Sequence, residues 1–561
     1  MDSSAKKNER TIYPQQGKKK KPAVNRRNKR LSGVNVGKNQ KTQKLLETAR
    51  HFLFDNCPDQ AIAICNHLIE KRQELLASYD LLAKIYQKQK DFEGLKSIIN
   101  DYRNEELQPF HLINYEVAYY LKRYEYDTAF ALLKKGLRET NRDPNILHLY
   151  LKTHSRVGDM DGALFKVQEL IKREPNKPKV HIEFARILKH MGHFDEAIKL
   201  LRNMVEKDMD PCQAYSHLAA IKSFKFTDKD VAAMQKIAAN PRLSFWQQVN
   251  IHHALGNGLE DLNETDKAFE HYVKAREMRH SKKPYRPELI ESSLSWIQKL
   301  LTKESIGYSL DGGCLDASPI FVLGMHRSGS TLIDQILSSH PEVDGTMELP
   351  DMPELALQMK SSMTQYHEAS RLPRAILAMS ADDRTKLGRA YIASTKVHRK
   401  GNLFFVDKQP FNFENVGFIL SILPNAKIID ARRNPFDCAV SIFRQEFSLE
   451  VTHVNRMYDL GHYYQHYAKL MAHWDTLFPG KIHRVNYEEM IDNSEYQIDQ
   501  LLDFCGLIKD PKCYKFYENK RVVRTPSGSQ VNQPIYNTSV NQWQRFEKHL
   551  APLREALKTY G

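Results

Sequence analysis

Residues 324–331 read Gly-Met-His-Arg-Ser-Gly-Ser-Thr, with two glycines, one arginine and three hydroxyls in one short stretch. The apolar run PIFVLG leads into it and the apolar helix pattern LIDQILSSH follows. A turn between a strand and a helix aims backbone N–H groups and the helix dipole at an anion. Arg327 adds a guanidinium fork suited to a tetrahedral oxyanion, and Ser328, Ser330 and Thr331 add hydroxyl donors. A second group lies in ARRNPFDCAVS, residues 431–441. Arg433 and Ser441 are eight residues apart. A helix starting after Pro435 puts Ser441 two turns in, so that both side chains can grip one phosphate. Arg432 is the alternative donor.

The step from Gly324 to Gly329 is that of the nucleotide-binding loop G-x-x-x-x-G-K-[ST]. Ser330 stands at the lysine position. The cation that serves the β- and γ-phosphates is missing, so ATP hydrolysis is a poor fit, and Arg327 supplies the charge from inside the loop.

These groups need elements to hold them. Apolar runs PIFVLG, NLFFVDK, AKIIDARR and KIHRVNYEE alternate with helical patterns from about Ser305 onward. That alternation predicts a parallel α/β sheet whose ligands sit beyond the carboxyl ends of the strands. The first half has a different rhythm. Asp59, Glu93, Asp127, Asp161 and Asp195 recur every 34 residues, and Ala61, Leu95, Ala129, Ala163 and Ala197 keep the same step. The phase is lost around residues 205–245 and returns at LEDLNETDKAFEHYVKAREMRH, where Ala268 follows Asp266. Paired helices of this period resemble the tetratricopeptide repeat, with the small residue where two helices cross. Such arrays form a superhelix whose concave face holds a peptide, or serve as a scaffold or dimerisation surface.

The loop at Gly324 paired with the later RNPxD…S segment resembles the sulfotransferases that use 3′-phosphoadenosine 5′-phosphosulfate (PAPS). More narrowly it is similar to tyrosylprotein sulfotransferases and to proteins that join tetratricopeptide repeats to that domain. The resemblance implies an N-terminal α-solenoid followed by an α/β P-loop-like sulfotransferase domain with a parallel sheet. It implies that Arg327, Ser328, Gly329, Ser330 and Thr331 hold the 5′-phosphosulfate. Arg433 and Ser441 would hold the 3′-phosphate, and Tyr487 in VNYEEM would pack near the adenine. Glu348 in GTMELP matches the general base, although a carboxylate before a helix also favours the helix dipole. Lys408 in VDKQP matches the lysine that steadies the leaving oxygen. Ser527 matches a serine near the transferred group, with Ser529 its rival. The catalytic set is thus Glu348, Lys408, Arg327 and Ser527, with PAPS as co-substrate and no metal expected. Two departures stand out. Gln445 stands where a tyrosylprotein sulfotransferase has a further arginine for the 3′-phosphate, and Asn532 and Gln533 replace a basic position near the C-terminal strand.

Charge and composition set the remaining expectations. The formal net charge is +15, but residues 1–44 hold 14 Lys and Arg against two acidic residues, which leaves +3 for the rest. The tail has few apolar residues and is expected to be disordered, to contact RNA or an anionic surface, or only to aid solubility. No run approaches the ~18 apolar residues of a membrane span, and no secretory leader is visible. Seven scattered cysteines without a C-x-x-C pair suit reduced thiols and a cytoplasmic location. The expected division is a basic tail at 1–42, a repeat solenoid at 43–300, a linker at 301–318 and the sulfotransferase domain at 319–561. The expected activity is sulfuryl transfer to an acceptor hydroxyl, with tyrosine in a peptide, a sugar or a small phenol all open. A repeat scaffold with an inactive sulfotransferase fold is the alternative from another class, and a P-loop kinase or NTPase the second enzyme reading.

Overall fold

The structure is a computed structural model. It describes residues 36–558 apart from 55–56, 90, 106–108, 124, 308–310, 520, 522, 524–527 and 529. The chain forms two compact units, residues up to Glu125 and from Tyr126 onward.

Helices start at Pro58, Phe92, Tyr126, Met160 and Phe194, each 34 residues after the last. The repeated acidic residue lies in the first turn of each, where a carboxylate meets the positive end of the helix dipole. Asp91 and Asp159 also accept hydrogen bonds from the Gly94 and Gly162 amides, closing the helix starts. Ala61, Ala129, Ala163 and Ala197 are fully buried, and Leu95 nearly so. The period is therefore set by helix crossings that admit only small or well-packed side chains.

In the first unit, Leu82, Ile85, Leu95 and Tyr102 belong to one apolar cluster. Its first helix runs Val36–Phe54 and so begins inside the stretch expected as a disordered tail. Residues 1–35 lie outside the described residues.

In the second unit, five parallel strands form one sheet: β1 (Pro319–Gly324), β2 (Val343–Gly345), β3 (Phe404–Lys408), β4 (Lys427–Arg432) and β5 (Ile482–Asn486). Their order is β2-β3-β1-β4-β5. The alternation of side chains along a strand divides the core. Phe321 and Leu323 point into one apolar cluster, and Ile320 and Val322 into another. The first cluster runs without a break from Ile182 in the repeats through Leu301 and Ile306 to Leu553. The expected linker spans residues 301–318. Leu301 and Ile306 are buried, and helix Lys303–Gly307 lies within the segment. The repeats from Ile182 onward share the first cluster with one face of the sheet. No strand follows β5 among the described residues, so the C-terminal strand expected near Asn532 is replaced by turns. No helix among the described residues is long and apolar enough to cross a membrane.

Candidate active site

The strand order reverses between β1 and β4, and ligand crevices form beyond such a switch point. The loop after β1 and the loop after β4 lie side by side there. Gly324 makes this closeness possible: a Cβ on it would lie 2.4 Å from the Ala431 carbonyl oxygen. Gly329 has φ +94, and its Cβ would meet a Tyr487 ring carbon at 2.6 Å. Arg327 itself adopts φ +65, a conformation that a non-glycine residue rarely holds. Strained positions of this kind gather at ligand sites.

Helix Ser330–Leu337 leaves this loop with its first amides toward the crevice. The second loop, unlike the first, is closed by a side-chain cap. Pro435 occupies the first helical position, and the Asn434 side chain accepts from the Phe436 and Asp437 amides at 2.9 and 3.4 Å. Helix Pro435–Phe443 then carries Ser441 two turns in.

One cavity of about 390 Å³ joins these parts. Arg327, Gly329, Ser330, Thr331, Arg433, Ser441 and Tyr487 all line it. Arg327 Nε donates to Ser441 Oγ at 2.9 Å, and Arg327 Nη2 donates to Gln530 Oε1 at 3.2 Å. Arg433 Nη1 donates to the Arg327 carbonyl at 3.2 Å, and Nη2 to the Ser539 carbonyl. Its guanidinium lies 4.7 Å from the centre of the Tyr487 ring, a cation–π contact that fixes both. Burial, together with Arg433 and Arg444 nearby, pushes Arg327 down to about 10. Arg432 faces elsewhere: its Nε donates to Asp430 at 2.8 Å. Of the two arginines, Arg433 lines the cavity.

Not every expected residue reaches this cavity. Ser328 is buried below the loop, and its hydroxyl has no hydrogen-bond partner. Glu348 and Lys408 do not line the cavity; they pair with one another through Lys408 Nζ and Glu348 Oε1. Lys408 is almost fully buried at the end of β3, and Glu348 stays half-exposed. His326 sits within electrostatic reach of both, and burial pushes its imidazole down to about 4. Edge contacts with Phe411 and Phe447 hold that neutral ring at 4.7 and 5.0 Å. The pair thus flanks the loop that carries Arg327. Ser527 and Ser529 lie outside the described residues.

Sequence reasoning missed several lining residues: Lys222, Arg444, Gln530, Tyr536 and Ser539. The last three belong to a C-terminal segment without regular structure. The Asp437 carboxylate holds this segment by accepting from the Asn541 and Trp543 amides at 2.7 and 3.0 Å. No motif marks such a segment. Lys222 did leave a trace, because it falls within the break in the 34-residue phase.

Residues 319–511 match the sulfotransferase family, and residues 156–221 match a tetratricopeptide repeat. A protein of Aquifex aeolicus described only as uncharacterized is 31% identical over 397 residues, covering 70% of this chain and 52% of that protein. The chain thus spans about half the length of the curated relative it matches. Among solved structures, the sulfotransferase domain of the Synechococcus PCC 7002 olefin synthase is 17% identical, with 45% of this chain and 97% of that one covered and a TM-score of 0.32. Sulfotransferase STF9 of Mycobacterium avium is 12% identical, with 60% and 97% covered and a TM-score of 0.27. Beyond the helical repeats, residues 319–511 of this chain form a domain of the sulfotransferase family.

Proposed function

We propose that this chain moves a sulfuryl group from PAPS to an acceptor hydroxyl. The observation that carries this reading is the shared cavity, in which the 327–331 loop and the Arg433–Ser441 pair face one space of about 390 Å³. Two adjoining anion grips, linked through Arg327 and Ser441, suit a nucleotide with phosphate at both the 5′ and the 3′ carbon. An unpartnered polar atom supports the fit, since Arg433 lines the cavity and its Nε is buried with no hydrogen bond. A buried polar atom without a partner calls for an explanation, and an anion bound in this cavity supplies one.

In this reading the loop amides, Arg327 and the Thr331 hydroxyl hold the 5′-phosphosulfate. Arg433 and Ser441 hold the 3′-phosphate, and Tyr487 borders the adenine. The acceptor oxygen attacks sulfur in line with the bridging oxygen. The new O–S bond forms as the bridging S–O bond breaks, and the electron pair leaves with the phosphate. Glu348 takes the acceptor proton. Lys408 balances charge on the leaving oxygen in a site shielded from water. The acceptor is a protein or peptide hydroxyl, with tyrosine favoured by the resemblance, brought by the repeats at 43–300 to a sulfotransferase domain at 319–561. The basic residues 1–42 contact RNA or an anionic surface, and the enzyme works in the cytoplasm.

The test compares thermal unfolding with 3′-phosphoadenosine 5′-phosphate (PAP), PAPS and ATP. A ligand at 100 times its Kd stabilises the native state by about 2.7 kcal/mol. PAP and PAPS are expected to raise the Tm, ATP is not, and Arg327→Ala is expected to remove the response. An equal response to ATP would return the site to general nucleotide binding.

A further inference from the structure

The break in the helical rhythm is a structural feature of the donor cavity. Helix Pro211–Ala219 is only nine residues long, and the next helix starts at Asp228. The segment between them turns inward. Ile221 and Phe226 are buried and anchor its two ends. Between these anchors, Lys222 and Lys225 line the same cavity as Arg327, Arg433 and Ser441.

The two lysines differ in their commitments. Lys225 pairs with Asp261 at 2.7 Å. Lys222 has no hydrogen bond or ion pair among the described residues. The charges facing it are Arg444, Arg327, Lys225 and the carboxylate of Glu260. Glu260 is already engaged: Arg444 pairs with it, Arg545 approaches to 3.4 Å, and the Tyr272 hydroxyl donates to it at 3.1 Å. An ammonium group in this position has cations for neighbours and no free anion. A dianionic phosphate in the cavity would supply the missing partner.

We propose that Lys222, delivered by the break in the repeats, is a donor-site residue that grips the nucleotide's 3′-phosphate in place of the cation missing at Gln445. Lys222 faces Arg444, which directly precedes Gln445 and lies three residues past Ser441. It therefore belongs to the end of the cavity assigned to the 3′-phosphate. The inference rests on the PAPS reading and goes beyond it, since it makes the helical array part of the donor site.

Proton linkage supplies an independent signature. Burial and the two guanidiniums push Lys222 down to about 7 in the free protein. At pH 8 only about a tenth of it carries a proton, while a phosphate with its second pKa near 6 is already dianionic. Binding then favours the charged lysine, so PAP should draw close to one proton from buffer, and its affinity should fall as pH rises above 7.

Calorimetric titration of PAP and 5′-AMP at pH 8, in two buffers of different ionisation heat, tests this with the full chain. Lys222→Met is expected to weaken PAP by about 10- to 100-fold, the range for a hydrogen bond to a charged group. It should leave 5′-AMP within about twofold, the scatter allowed for an uninvolved side chain, and abolish proton uptake. Lys222→Arg should keep most of the PAP affinity. Lys229→Met removes the same charge from an exposed neighbour and should change nothing. Unchanged PAP binding in Lys222→Met, with the parent binding PAP well, overturns the inference and leaves the PAPS reading intact. Equal losses for PAP and 5′-AMP overturn the 3′-phosphate assignment. A parent that binds neither PAP nor PAPS refutes the PAPS reading itself, and this inference with it.

Discussion

Replacing Arg276 by Met tests whether the repeats are built into the donor site. Arg276 lies on helix Thr265–Lys282 of the array and is 1% exposed. Its Nε donates to the Phe443 carbonyl at 3.3 Å, and its Nη2 to the Ile442 and Phe443 carbonyls at 3.1 Å each and to that of Gln445. These carbonyls lie at and just past the C-terminal end of helix Pro435–Phe443, where intrahelical partners run out, although that of Ile442 also accepts from the Gln445 amide at 3.0 Å; the helix carries Ser441. The cation also faces the negative end of that helix dipole. Methionine fills the stem's volume but donates nothing. The Phe443 and Gln445 carbonyls then lose their partner, at about 1–3 kcal/mol each. Release of the buried guanidinium, whose Nη1 has no partner, offsets part of that. The net loss should be about 2–4 kcal/mol. With a urea slope of about 3 kcal/mol per molar or more for a unit this large, the midpoint should fall by about 1 M. PAP affinity should fall with it, because Ser441 lies on the loosened helix and Arg433 just before its start. Arg276→Lys should lie between, since it keeps the charge without the fork. A midpoint shift below about 0.3 M, corresponding to less than about 1 kcal/mol, would show that the contact carries no coupling.

Two further outcomes follow from the site. Glu348→Gln should lower turnover by about 10²- to 10⁴-fold, the usual weight of a general base, while PAP still binds in calorimetry; full turnover would remove Glu348 from the chemistry. Asp407 adjoins Lys408 and is fully buried, and burial pushes its carboxyl up to about 8 although the Tyr391 hydroxyl donates to it at 2.7 Å. The folded state therefore holds a proton that the unfolded chain releases near pH 4, so stability should fall as pH rises from about 4 to about 8. Asp407→Asn should remove most of that slope in Tm measured across the window, and an unaltered slope would assign it to other groups.

What could be read from the chain follows from how local each cause is. Helix crossings demand a small residue at one place per turn of the array, so the 34-residue step is visible without a structure. β1, β3 and β4 are visible because both faces of a parallel sheet are buried, which makes each a largely apolar run, whereas β5 at the edge is only partly buried. β2 escapes because it is three residues long and lies at the sheet edge. Arg327, Arg433 and Ser441 are legible for the same reason of locality: a strand, a tight turn and a helix start lie within one short stretch.

Lys222 and Arg276 are illegible for the opposite reason. A lysine in a loop and an arginine on a charged helix look like solvated residues, since their partners lie far along the chain. Arg276 meets carbonyls 166 to 169 residues away. Yet the sequence carries an indirect mark at Lys222. A repeat array that only stacks has no reason to interrupt its period, because each unit buries its face on the next. An interruption of some 40 residues by sequence count, followed by a return to phase, means that the segment answers to something other than its neighbours in the array. Here the inward turn between Ile221 and Phe226 places a lysine on the donor cavity. Loss of period is thus informative in a repeat protein in the way that a glycine with positive φ is informative in a loop: both mark a place where local regularity gives way to a distant constraint.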